Sequence, residues 1–129
     1  MIIIAGTLRI EKPASEDVLE ACRKMMKATH EEIGCIDYVF SVDPIDPTVI
    51  HVYERWESDE ALQTHFLAPH MEPFRSSMAS WGVSEQDILK FQIGSIDKLR
   101  YFLKLFLFKP SSHSLFKRIC NSTIRRKDV

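Results

Sequence analysis

Two histidines carry the first chemical signal in this chain. His65 and His70 stand in the stretch Val52–Phe74, VYERWESDEALQTHFLAPHMEPF, with Glu54, Trp56, Met71 and Phe74 around them. Imidazole is the side chain whose ordinary pKa lies nearest neutrality, so it suits a general base acting on an acidic phenol. His65 is the first candidate for that base and His70 the second; the bland alternative is that each caps a helix end or sits on the surface. Glu54 is the third polar candidate. A buried carboxylate needs a partner, so it either orients an imidazole, pairs with a basic group or caps a helix. Alternation along a strand puts Trp56 on the face of Glu54, with His51, Tyr53 and Arg55 on the other. Trp56, Tyr38, Phe40, Phe74 and the flexible Met71 are the residues that would wall an apolar pocket, or fill a core.

Other chemistries find little support. On one continuous helix the i, i+5 spacing of His65 and His70 sets the rings about 140° apart. Pro69 breaks that continuity, but no HxH or HxxxH pattern exists and no nearby Cys completes a ligand set, so no metal is expected. There is no GxGxxG, P-loop or GxSxG elbow, and nothing calls for flavin or nicotinamide, so no cofactor is expected. Cys22 and Cys35 have no paired His, which argues against a thiol nucleophile. Three cysteines without metal spacing or an even count suit free thiols in a reducing compartment, and the cytoplasm is the expected location.

The elements that must position these residues follow from periodicity. Ile2–Ile10 reads as a first strand. Ser15 is placed to cap a helix near 15–32, where Val18, Leu19, Cys22, Met25, Met26, Thr29 and Ile33 form one apolar stripe, and Gly34 stands at its C-terminal end. Cys35–Val42 and Val49–Trp56 form a hairpin across Asp43-Pro44-Ile45-Asp46-Pro47. Ser58 caps a short helix, Pro69 opens another near 69–80, and Ile88–Ile96 is the fourth strand. The class is α+β, a ferredoxin-like β-α-β-β-α-β order with a four-stranded antiparallel sheet and helices on one face. Apolar residues at both strand parities leave the other face needing cover, and a second copy of the sheet supplies it as a dimeric α+β barrel.

The chain has 129 residues, 45% apolar and 27% charged, with a net charge of −1. That net hides a split. Residues 1–97 hold 8 Lys/Arg against 17 Asp/Glu, a net of −9, whereas residues 98–129 hold 9 Lys/Arg against one acid, a net of +8. The domain is therefore placed at 1–97, with 98–129 a basic, apolar extension. An acidic body disfavours nucleic acid as a partner. The extension, with Tyr101–Phe108 at its most apolar, is too short there to span a bilayer. It suits contact with a membrane surface or with the acidic body, and the reading preferred is an extension without a catalytic role.

Three motifs, E-x-G-C-x-x-Y at Glu32–Tyr38, E-x-W at Glu54–Trp56 and H-x-x-x-P-H at His65–His70 followed by Phe74, resemble the antibiotic biosynthesis monooxygenase family over about residues 1–97. The resemblance implies small α+β barrel homodimers. Members include cofactor-free oxygenases of quinol-like aromatics, small-molecule isomerases and haem-degrading enzymes. The haem-degrading branch uses an Asn, a Trp and a His where this chain has Gly6-Thr7, His65 and Arg75, which argues against haem breakdown. The resulting expectation is a cofactor-independent monooxygenase of a small electron-rich aromatic, with O2 as co-substrate. A non-catalytic small-molecule-binding dimer and an isomerase on the same scaffold remain as alternatives.

Overall fold

The structure is a computed structural model and describes residues 1–99. Met1–Ser95 form one compact unit. The expectations for the extension, Tyr101–Phe108 among them, fall on residues outside the described range.

Seven elements follow in the order β1 (Ile2–Ile10), α1 (Glu16–His30), β2 (Cys35–Val42), β3 (Val49–Trp56), α2 (Asp59–Phe66), α3 (Met71–Ala79) and β4 (Val83–Gln92). The strands make one antiparallel sheet in the spatial order β2-β3-β1-β4. This is the ferredoxin-like arrangement, with the second crossover split into two helices. Ser15 and Ser58 cap α1 and α2 as their types require, each side chain accepting from the backbone N–H three residues on.

The register decides which side chains meet. Ile4 faces Glu54 on β3 and Lys90 on β4, and Glu54 in turn faces Tyr38 on β2. Ile2, Leu8, Ile50, Val52, Trp56 and Tyr38 are buried on the face that the helices cover. The opposite face carries Ile3, Ala5, Val39, Tyr53, Leu89 and Phe91, of which Leu89 and Phe91 are exposed.

Two elements differ from the sequence-based expectation. β4 begins at Val83, five residues before Ile88, and stops at Gln92. Its first half, Val83-Ser84-Glu85-Gln86-Asp87, is mostly polar and exposed, so hydrophobicity gives no sign of it; pairing with β1 from Ile10↔Val83 onward holds it in the sheet. Pro69 lies in the turn before α3 rather than inside its first turn. Pro73 takes that place, where a missing N–H costs no intrahelical bond.

Gly34 turns the chain from α1 into β2 at φ +86°, and a Cβ there would stand 2.5 Å from the Cβ of Ala61 on α2. Glycine is thus needed twice over, for the left-handed backbone and for the close approach. The contact brings the turn that follows α1 against α2, which matters for the site.

Candidate functional site

A cavity of about 430 Å³ lies between α2, α3 and the covered face of the sheet, open at one side. Tyr38, Phe40, Phe74, Met71 and Ile88 supply apolar wall, and His65, Glu54, Gln63, Arg75 and Lys90 supply polar groups. Strand pairing puts Tyr38 opposite Glu54, while the 3.6-residue period of α2 turns Leu62 and His65 inward together. Lys90 is paired with Asp59, and Arg75 donates to the carbonyl oxygen of Phe66 at 3.0 Å.

His65 is 1% exposed and is held on three sides. Its ring centroid lies 4.8 Å from that of Trp56 and 5.2 Å from that of Tyr38. Its Nδ1 is 2.8 Å from Oε1 of Glu32. Glu32 accepts from that N–H, so the neutral ring carries its proton on Nδ1 and keeps a lone pair on Nε2. Burial pulls the pKa of His65 down, against the pull of the Glu32 carboxylate, which favours this neutral ring.

Glu32 holds His70 as well, whose Nε2 is 2.7 Å from the same Oε1 and 3.4 Å from Oγ1 of Thr29. Pro69 thus does bring the two imidazoles together, with ring centroids 6.0 Å apart. The rings face different spaces. His65 lines the large cavity, whereas His70 lines a shallow surface groove beside Lys24, Met25 and Pro73.

Glu54 does not touch an imidazole. Its Oε2 accepts from Nε1 of Trp56 at 3.0 Å, and burial pushes its pKa up to about 7, with the indole N–H opposing and the Glu32 charge reinforcing the rise. Trp56 itself is fully buried behind the cavity wall, as a support for His65 and Glu54 rather than a pocket face. Tyr38 is also held neutral, its phenol raised far above the usual range by burial. The thiols of Cys22 and Cys35 are both pushed up to about 11 by burial, which makes poor nucleophiles.

Glu32 is the residue that motif-by-motif reading left without a role. A signal for it existed. Met25, Thr29 and Glu32 follow i, i+4, i+7, so a carboxylate sits on the line of the buried stripe of α1, where it requires a partner. The donor atoms of Glu32, His65 and His70 all lie within 4.8 Å of one another, a set with the composition of a metal site. The third donor comes from 33 residues upstream of His65, which no local spacing rule detects.

Comparisons with known proteins agree with this architecture. The family model for antibiotic biosynthesis monooxygenases matches residues 1–76. A Deinococcus radiodurans protein, assigned provisionally to that activity, superposes with a TM-score of 0.66 at 24% identity, covering 77% of this chain and 98% of its own. A Nitrosomonas europaea protein with the same provisional assignment gives 0.66 at 19% identity, over 74% of this chain and 100% of its own. A conserved protein of unknown function from Bacteroides thetaiotaomicron gives 0.62 at 22% identity, over 71% and 96%. A comparison with curated proteins finds no match.

Proposed function

The chain belongs to the antibiotic biosynthesis monooxygenase family, and from that premise we propose that it is a homodimeric, cofactor-independent monooxygenase of a small electron-rich aromatic of the quinol or polyphenol type. The observation that carries this reading is His65: a buried, neutral imidazole lining an apolar cavity, its Nδ1 proton engaged by Glu32 and its Nε2 free to accept.

The chemistry needs only what these side chains offer. Nε2 of His65 takes the acidic proton of the substrate. The resulting anion passes an electron to O2, and the radical pair closes a carbon–oxygen bond to give a peroxide. Glu54, raised to about 7, is protonated for part of the time near neutrality and supplies a proton to that peroxide. The O–O bond then breaks, one oxygen stays as a carbonyl and the other leaves as water with two hydrogens from the substrate. No external reductant enters the balance. Tyr38, Phe40, Phe74 and Met71 hold the ring, and the site contributes by positioning and desolvation.

The homodimer rests on the open sheet face, where Ile3, Tyr53, Leu89 and Phe91 form an apolar surface on one side of a two-sided sheet. Nε of Arg55, on that same face, is buried without a partner among the described residues. Light scattering of the full chain at micromolar concentration is expected to give twice the monomer mass; a monomer overturns the pairing. The free thiols Cys22 and Cys35 support a reducing compartment, the cytoplasm.

Oxygen uptake with a panel of hydroquinones and anthrones tests the activity, with protein freed of metal and no added cofactor. Uptake with formation of the quinone, lost in His65→Ala, is expected. No uptake with any member of the panel sinks the oxygenase reading and leaves the binding dimer or the isomerase in its place.

A further inference from the structure

We propose that Glu32, His65 and His70 form a binding site for one first-row divalent ion of the Zn2+ type, and that the ion, when bound, silences His65 as a base. The second clause rests on the oxygenase reading; the first does not.

Three donors from three separate segments converge there. Glu32 follows α1, His65 lies in the last turn of α2 and His70 precedes the first residue of α3. Their ligand atoms are Oε1, Nδ1 and Nε2, all within 4.8 Å of one another. Two imidazole nitrogens and one carboxylate oxygen suit Zn2+, Co2+ or Ni2+, and disfavour Mg2+ and Ca2+, which prefer all-oxygen shells. The carboxylate offsets half the charge of such an ion.

The three donors lie close enough for small side-chain movements to enclose an ion. Zinc bonds of about 2.0–2.2 Å in tetrahedral geometry need donors about 3.3 Å apart. Both nitrogens now stand 2.8 and 2.7 Å from the carboxylate oxygen, at hydrogen-bond length. To become a ligand set, the carboxylate oxygen must withdraw from each nitrogen by about half an ångström, the two nitrogens, which with it lie within 4.8 Å of one another, must draw toward that same spacing, and each bridging proton must move to the other nitrogen of its ring. Oγ1 of Thr29, 3.4 Å from Nε2 of His70, adds one more oxygen next to the set. His70 borders the surface groove, so an ion reaches the site without crossing the large cavity.

The consequence for His65 follows from imidazole tautomerism. Without metal, Nδ1 carries the proton and Nε2 faces the cavity as an acceptor. A metal on Nδ1 displaces that proton, and the neutral ring must then carry its hydrogen on Nε2. The cavity meets a donor in place of a base. The same three residues are thus a proton-holding network when empty of metal and an inhibitory site when filled.

Cobalt is the direct probe. Co2+ titrated into the chelator-treated full chain is expected to give visible d–d bands that saturate at one ion per chain, and Zn2+ to abolish them. His70→Asn and Glu32→Gln are each expected to weaken Co2+ binding about tenfold or more, while His51→Ala, at an exposed imidazole elsewhere, leaves it unchanged. If the two site variants do not fold, the wild-type chain decides: bound Co2+ must shift the ring resonances of two histidines in the NMR spectrum. No saturable binding, binding that both site variants retain, or a shift confined to other histidines overturns the site. One equivalent of Zn2+ is expected to cut oxygen uptake at least tenfold. Full uptake with the site filled overturns the silencing. Uptake that requires Fe2+ overturns cofactor independence instead. A chain that binds Co2+ here but oxidises no substrate keeps the site and loses the oxygenase.

Discussion

Glu32 and Glu54 are two carboxylates in the same interior, and their surroundings give them opposite tasks. Glu32 meets two imidazole N–H groups at 2.8 and 2.7 Å. Glu54 meets one indole N–H at 3.0 Å and is otherwise wrapped in apolar wall, so its proton is held up to about pH 7. For Glu54, one donor does not offset the desolvation of a charge. The first carboxylate therefore orients two imidazoles, and the second is held partly protonated near neutrality. Residue type alone does not make this division; the number and kind of donors facing each group do.

Activity offers the largest effect with which to break that contrast. His65→Ala is expected to remove about 10²-fold or more from turnover, the usual scale for a lost general base. Glu32→Gln keeps an oxygen to accept from Nδ1 but weakens the hold on the ring, and a loss of about tenfold is expected, mostly in kcat. Stopped oxygen-electrode traces at saturating substrate measure both. Equal losses in Glu32→Gln and Glu54→Gln would erase the distinction drawn between the two carboxylates.

The stability of the fold against pH sharpens the same contrast. The folded-state pKa of Glu54 lies above its unfolded value of 4.5. The folded state therefore favours the protonated form, and the contribution is fully present below about pH 4.5 and is lost as pH rises through about 7. The rise corresponds to an upper bound of about 3 kcal/mol. Urea midpoints measured from about pH 5 to about pH 8 are expected to fall more steeply for the wild type than for Glu54→Gln. Parallel curves would show that Glu54 is not held protonated.

Gly34→Ala probes the backbone behind Glu32 and has the smallest expected effect. A methyl group at φ +86°, 2.5 Å from Cβ of Ala61, should cost about 1–3 kcal/mol of stability and loosen the corner that carries Glu32. Thermal melts and the His65 ring resonances read the two consequences. An unchanged melting temperature would mean that α1 and α2 separate there without penalty.

Periodicity and caps sufficed for most of the architecture. Ser15 and Ser58 marked helix starts, the alternation of Ile50, Val52, Glu54 and Trp56 marked one buried strand face, and the Pro-rich turn marked the hairpin, because each is a local energetic preference written in a few adjacent residues. The aromatic wall of Tyr38, Phe40 and Phe74 and the candidacy of His65 were legible for the same reason. The polar half of β4 was not, since Ser84–Asp87 join the sheet through backbone pairing with β1, which side-chain pattern does not record. Nor was the partner of the histidines. Glu54 lies nearer to them in the chain, but strand geometry aims it at Trp56, while the close approach of Gly34 to α2 brings Glu32 from 33 residues upstream onto His65. Residue types set which chemistries were open to this protein. Only the packing of the turn after α1 against the α2–α3 corner decided which carboxylate meets the imidazoles, because hydrogen bonds depend on distances that local sequence leaves free.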